Sequence, residues 1–210
     1  MPVVNMRCKE HFSSIQGEGV HQGRKCTFVR FAGCNLSCAF CDTKEHDTPP
    51  YTEVTPLYLS RLASRFRDEY IVLTGGEPLY QPRHLFIEFV ELLLANGSSV
   101  GIETNGSVAF DRYSELSEPM HRGGKLWITV SPKPPLYAIA VIEPDEIKLV
   151  EDESVTDDLL EKLEFRFPGT PLIIQPQSCS LESFARCREL QDRHPRWLIK
   201  LQMHRMMEIR

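Results

Sequence analysis

The period of the apolar positions switches repeatedly along the chain, and the switches mark out alternating strands and helices. Residues 26–31 alternate apolar with polar and predict a strand. Helical spacing follows over 57–66, a short apolar strand over 70–73, and a helix over 83–95 with Leu85, Phe86, Phe89, Val90, Leu92 and Leu93 apolar. Next come a strand at 99–103, a weak helix near 111–116 and a strand at 125–130. The stretch 137–145 has no clear period. Beyond it the pattern predicts a strand at 146–150, a helix capped by Ser154 with Asp157 three residues on, a strand at 172–175, a helix at 181–193 and a last strand at 197–202. The polar tract 44–55, with Pro49 and Pro50 paired, reads as a loop. Roughly seven strands separated by helical segments predict an α/β fold. The sheet is then parallel with right-handed crossovers, an α/β barrel or an open sector of one. A chain of 210 residues is short for a full eight-unit barrel. No repeat or linker divides it, so a single domain over residues 1–210 is expected.

Composition narrows the picture. With 41% hydrophobic and 25% charged residues the chain is of the ordinary globular class. Its net charge of -5, without a run of Lys or Arg, gives no footprint for nucleic acid or for an anionic membrane. A small-molecule substrate is favoured. Neither a signal-peptide core nor a membrane-length apolar run is present, so a cytoplasmic location is expected. Reduced thiols follow from that location, and Cys8, Cys26, Cys179 and Cys187 are expected to act as small apolar packers.

Three of the seven cysteines, Cys34, Cys38 and Cys41, fall within eight residues in RFAGCNLSCAFCDT. The spacing C-x3-C-x2-C gathers three thiolates about one centre, with Gly33, Asn35 and Ser37 allowing a tight loop. Three thiolates suit an iron-sulfur cluster with one iron left open to a substrate or cofactor. With His46 they also suit a structural Cys3His zinc.

The polar oddities elsewhere decide between these. Thr74-Gly75-Gly76-Glu77-Pro78, Glu103-Thr104-Asn105-Gly106, Ser131-Pro132-Lys133, Gln175-Pro176-Gln177 and Gln202-Met203-His204 each follow a predicted strand, as does Cys34. In a parallel sheet those ends form one face, where ligands bind. Residues about 170 positions apart therefore converge on one mouth, which a zinc staple has no need of. Upstream, Gly17 and Gly19 flank Glu18 so that Gln16 and Glu18 present an amide and a carboxylate from one turn. Arg30, near the end of a predicted buried strand, needs an anionic partner, and a substrate carboxylate would supply one.

The motif C-x3-C-x2-C, with the aromatic Phe40 before its last cysteine, resembles the signature of the radical S-adenosylmethionine enzymes. QGEG, VRFAGCNLSCAFCDT, TGGEP, ETNG, SPK, QPQ and QMH together, spread over nearly the whole chain, resemble the 7-carboxy-7-deazaguanine synthase family. The resemblance implies an incomplete barrel, usually a homodimer. It implies conversion of 6-carboxy-5,6,7,8-tetrahydropterin to 7-carboxy-7-deazaguanine with loss of ammonia, in queuosine and 7-deazapurine biosynthesis. A flavodoxin or ferredoxin would supply electrons. It further implies that Cys34, Cys38 and Cys41 hold a 4Fe-4S cluster and that Phe40, Cys41, Asp42, Gly76, Glu77, Ser131, Pro132, Lys133, Gln175, Pro176, Gln177 and Ser178 bind S-adenosylmethionine. Ile15, Gln16, Gly17, Glu18, Arg30, Thr74, His204 and Arg210 would bind the pterin, and Thr43 a magnesium ion. The chain departs from the family in its last residues, HRMMEIR, and in a short loop after Thr43. A glycyl-radical-enzyme activase shares the cysteine spacing but has no use for QGEG or Arg30, and a zinc-bound interaction module is the non-enzyme alternative.

Overall fold

The computed structural model describes residues 5–39, 41, 48–65, 70–118, 120 and 124–207. Among the described residues nine strands run along the chain. They are β1 (Met6–Ile15), β2 (Lys25–Phe31), β3 (Thr52–Val54), β4 (Tyr70–Gly75), β5 (Ser99–Thr104), β6 (Leu126–Val130), β7 (Glu146–Glu151), β8 (Leu172–Pro176) and β9 (Trp197–Ile199). They form one sheet in the order β3-β1-β2-β4-β5-β6-β7-β8-β9. From β2 to β9 every neighbour is parallel. β1 lies antiparallel to both β2 and β3. The ends of the order, β3 and β9, stay unpaired with each other, so the α/β barrel is incomplete as the pattern predicts.

Alternation along each parallel strand sorts its side chains. Val29, Phe31, Leu73, Ile102, Ile128, Ile147, Leu149 and Ile174 face the helices and join one core. The helix Arg83–Ala95 supplies the largest share of the opposite wall, burying Phe86, Phe89, Val90 and Leu93 at helical spacing. Phe31 meets the rings of Phe86 and Phe89 edge-on at centroid distances of 6.0 and 6.3 Å. Each such ring contributes about 1.5–3 kcal/mol through burial. The other face is polar by register. Arg30 lies beside Thr74, Glu103 beside Thr129, and Thr129 beside Glu146, which lays a row of polar side chains across the concave side.

Several elements differ from the pattern's expectations. β1 and β3 are additional strands, the second inside the expected loop 44–55. The helix expected to be capped by Ser154 runs Asp157–Arg166 and is capped by Thr156, whose Oγ1 accepts from the Leu159 N–H at 3.3 Å. Ser154 instead donates its own N–H to Asp152 at 2.9 Å. The last strand ends at Ile199, and Met203–Met206 form a helical turn. The unassigned stretch 137–145 forms no regular element but is tied down through a bridge between Phe110 and Val141.

The loop joining β1 to β2, residues 16–24, closes the concave side at the N-terminal ends of the strands. His21 packs there on Tyr70 and Trp127 at 5.1 and 4.6 Å between ring centroids, and the Arg24 guanidinium covers the Tyr70 ring at 4.3 Å. Burial, and then the Arg24 charge, lower the His21 pKa and so disfavour the charged ring. No helix among the described residues is long and apolar enough to cross a membrane.

Candidate functional site

A cavity of about 250 Å³ occupies the concave face. Cys34, Cys38 and Cys41 form one of its walls, where the loop after β2 passes over the ends of β4 and β5. That loop is held by backbone. Glu77 N–H donates to the Gly33 carbonyl at 2.8 Å, and Gly76 N–H to that of Phe31 at 3.1 Å. The glycine pair in TGGEP exists for this crossing. Gly75 has φ of +137°, where only glycine is comfortable, and a Cβ on Gly76 would stand 2.6 Å from the Gly33 carbonyl carbon. Asn35 extends the clamp, donating to Ser107 Oγ at 2.8 Å and accepting from Asn105 Nδ2 at 3.0 Å.

Among the described residues no three His, Cys, Asp or Glu side chains are close enough to share one metal ion. Three soft thiolates on an open cavity wall fit an iron-sulfur cluster with one iron left open. Burial raises the Cys34 and Cys38 thiols. The Leu36 N–H, 3.4 Å from Cys34 Sγ, and the Lys133 charge beside Cys38 act the other way.

The opposite wall carries charge. Gln16, Glu18, Arg30, Thr74, Glu103, Lys148, Gln202 and His204 all reach the cavity. Glu18 pairs with Lys148 and accepts from Gln202 Nε2 at 2.7 Å. Glu103 accepts from Gln16 Nε2 at 2.9 Å and Thr74 Oγ1 at 3.4 Å, and lies 3.9 Å from the Lys148 ammonium. Burial would raise the Glu18 carboxyl, but the charge of Lys148 and the hydrogen bonds from Lys148 and Gln202 win and bring it down to about 2. The segment 201–207 docks on the β1–β2 loop. Met203 N–H donates to the Gly17 carbonyl at 2.9 Å and Gln22 Nε2 to that of Leu201 at 2.8 Å. Gly17 has room for no side chain, since a Cβ there would stand 2.6 Å from His204 Nδ1.

Of the residues that the sequence singles out, Ile15, Gln16, Gly17, Glu18, Arg30, Cys34, Cys38, Cys41, Thr74, Gly76, Ser131, Lys133, Gln177, Ser178 and His204 line this one cavity. Glu77, Pro132, Gln175 and Pro176 are not part of the wall. Glu77 is fully buried and internal, its carboxylate accepting from Thr104 Oγ1 at 2.6 Å and from the N–H groups of Asn105 and Leu79 at 2.7 and 3.0 Å. It ties TGGEP to ETNG. Gln175 is fully buried too, and its side-chain amide has no protein partner. Arg30 already has an anion, since its Nε donates to Glu10 at 2.9 Å from the neighbouring strand. Phe40, Asp42, Thr43, His46 and Arg210 lie outside the described residues. Of the other cysteines, Cys8, Cys26 and Cys187 are buried, whereas Cys179 is partly exposed and points its Sγ at the Gln202 carbonyl, 3.8 Å away.

The pattern reading missed Lys148, and it named Glu103 and Gln202 only as parts of motifs. A signal for Lys148 exists: EIKLVE places a lysine inside an otherwise buried strand, the same anomaly that exposes Arg30.

A model of the Radical SAM superfamily matches residues 28–132. The chain is 34% identical over 209 residues to the 7-carboxy-7-deazaguanine synthase of Bacteroides thetaiotaomicron, covering 97% of this chain and 98% of that one. It is 33% identical over 223 residues to the enzyme of the same name from Bradyrhizobium diazoefficiens, covering 96% and 98%. Its fold is similar to the crystal structure of QueE from Escherichia coli, with a TM-score of 0.72 at 24% identity over 95% of each chain. A cysteine wall open to a charged cavity, in a chain matched over nearly its whole length by these relatives, makes the protein a radical SAM enzyme that belongs to the 7-carboxy-7-deazaguanine synthase family.

Proposed function

We propose that the protein converts 6-carboxy-5,6,7,8-tetrahydropterin to 7-carboxy-7-deazaguanine with release of ammonia, the product being the one that the names of its relatives give. The observation that carries this reading is the meeting, in one cavity, of three thiols on one wall with Gln16, Glu18, Arg30, Glu103 and Lys148 on the other. The radical SAM family uses a 4Fe-4S cluster and S-adenosylmethionine, which when bound supply an adenosyl radical for hydrogen abstraction.

The chain's own residues bind, orient and exclude water. Cys34, Cys38 and Cys41 hold the cluster, with Ser131, Lys133, Gln177 and Ser178 beside them for the cofactor. Glu18 and Glu103 accept from the N–H edge of the pterin, Gln16, Thr74 and His204 border it, and Arg30 reads its carboxylate. Magnesium would be held by Thr43, water and that carboxylate. The chain acts as a single cytoplasmic domain over residues 1–210, as a homodimer, with flavodoxin or ferredoxin as electron donor.

The test is anaerobic incubation of the reconstituted protein with S-adenosylmethionine, a reductant, magnesium and 6-carboxytetrahydropterin. Mass analysis should find 7-carboxy-7-deazaguanine together with 5′-deoxyadenosine. Cofactor cleavage without the deazaguanine would refute the substrate assignment, and a colourless protein without iron would refute the cluster.

A further inference from the structure

The charged wall has an unusual centre. Lys148 projects from β7 onto the concave face with only 6% of its side chain exposed, and it is surrounded by carboxylates. Glu18, from the β1–β2 loop, pairs with it; Glu103, from β5, lies 3.9 Å away; Glu146 lies on the same face of β7, two residues earlier. His204, whose charge acts on Glu18, and Tyr70, whose hydroxyl feels the charges of Glu103 and Glu146, are further titratable groups at this place. Glu146 has its own anchor, the Val20 N–H at 2.6 Å, and a Cβ on Gly19 would stand 3.0 Å from its Oε2. It belongs to the floor rather than to the ligand wall.

Glu18 and Glu103 differ from it in reaching the cavity. Each of their oxygens accepts one donor within the protein: Gln202 and Lys148 on Glu18, Gln16 and Thr74 on Glu103. A carboxylate oxygen has room for about two donors, so each is left able to accept one more from a ligand. Two carboxylates converging on one ligand edge repel each other, and in such a pair one readily keeps a proton and ceases to be an acceptor. The Lys148 ammonium is the cation that reaches both.

We propose that Lys148 is a positioning residue, holding Glu18 and Glu103 together as anions so that they form a two-carboxylate acceptor edge for the N–H donors of the substrate ring. This rests on the functional reading above. Gln16, Thr74 and Gln202 aim the two carboxylates, and Lys148 keeps both of them charged. The chemistry recognised is a planar ring edge rich in N–H donors, such as the aminopyrimidinone of a pterin. A ring with acceptors at that edge would be rejected by both carboxylates.

The experiment is anaerobic calorimetry of 6-carboxytetrahydropterin binding to cluster-loaded protein between pH 6 and 8.5. Wild type is compared with Lys148→Gln, which keeps a donor without the charge, and Lys148→Arg, which keeps the charge. Iron content and thermal melting establish that each variant is folded. Lys148→Gln is expected to bind at least about tenfold more weakly at pH 7, with a deficit that shrinks as pH rises. Below the raised carboxyl pKa the change approaches tenfold per pH unit, because one proton must leave for the ligand to bind. Lys148→Arg should follow the wild-type profile. Equal affinity of Lys148→Gln and wild type would overturn the proposal. So would a deficit independent of pH, which marks a lysine that only fills space, or a pH-dependent deficit in Lys148→Arg. Absence of binding to wild type would overturn the functional reading itself.

Discussion

Replacing Gly76 with alanine tests whether the glycine pair of TGGEP serves the crossing of two backbones. The added Cβ would meet the Gly33 carbonyl carbon at 2.6 Å and Cys34 Cβ at 3.1 Å. Carbon atoms pack best at about 3.5–4.0 Å, so the cysteine loop must retreat by roughly 1 Å. Backbone blocks the way, and no flexible side-chain tip can give. Overpacking of this kind destabilises by about 1–3 kcal/mol. Retreat also breaks the 2.8 Å bond from Glu77 N–H to the Gly33 carbonyl. That bond is worth about 0.5–1.5 kcal/mol, which brings the expected loss to roughly 2–4 kcal/mol. For a chain of this size each kcal/mol lowers the melting temperature by about 2–4 °C, so Gly76→Ala should melt roughly 5–15 °C below wild type. Because Cys34 moves with the loop, iron per chain after anaerobic reconstitution should fall as well. Gly169→Ala is the control, since a Cβ there meets nothing within 4 Å. The assays are a thermal melt by circular dichroism and an iron determination. A Gly76→Ala protein that melts within about 2 °C of wild type and loads the same iron would show that the crossing has slack.

Other outcomes follow from the same geometry. Cys38→Ala should lose most of the iron absorbance and the formation of 5′-deoxyadenosine, whereas Cys187→Ala, buried among apolar neighbours, should keep both; full cofactor cleavage by Cys38→Ala would remove the cluster assignment. Arg30→Ala should weaken 6-carboxytetrahydropterin binding by about tenfold, a modest loss because Glu10 already shares the guanidinium; unchanged affinity by anaerobic calorimetry would leave Arg30 as a structural ion pair. Thr43→Val should weaken the magnesium dependence of turnover at an unchanged cluster spectrum, and superimposable magnesium titrations would count against a metal role.

Much of the sheet was legible because burial on one face imposes period two and burial under helices imposes a longer period. β2 and the helices Arg83–Ala95 and Leu181–Arg193 appear within a residue of where the apolar spacing puts them. β1 was not legible. Its sequence MRCKEHFSSI has a weak alternation on an antiparallel strand near the sheet edge, where charge is tolerated. β3 is three residues long and has no period to read. At the site, motifs after strands point to the mouth correctly, but spacing cannot tell a carboxylate that faces the cavity from one turned into the protein. Glu77 and Glu18 look alike in sequence, each beside glycine. Only the fold reveals that three internal donors claim Glu77 while Glu18 stays on the wall. Arg30 was found as a cation in a strand, but its partner Glu10 lay on the strand that went unread. Lys148 carried the same signature and shows that a lone charge in an apolar strand should be followed wherever it occurs.

The docking of residues 201–207 on the β1–β2 loop has a temporal consequence. Gln202 bonds Glu18 across 184 positions, and Gln22 reaches Leu201 across 179. Contacts so distant along the chain form late, since the loop they close must first lose its freedom. During synthesis, the cysteine loop and the first parallel strands can pair while the rest of the polypeptide is still being made. The carboxylate wall cannot be finished until residue 205 has cleared the ribosome. The chain thus acquires the parts that would hold a cluster well before those that would hold a substrate. An extension or a cut near residue 207 reaches the ligand wall directly, although in sequence it lies far from QGEG.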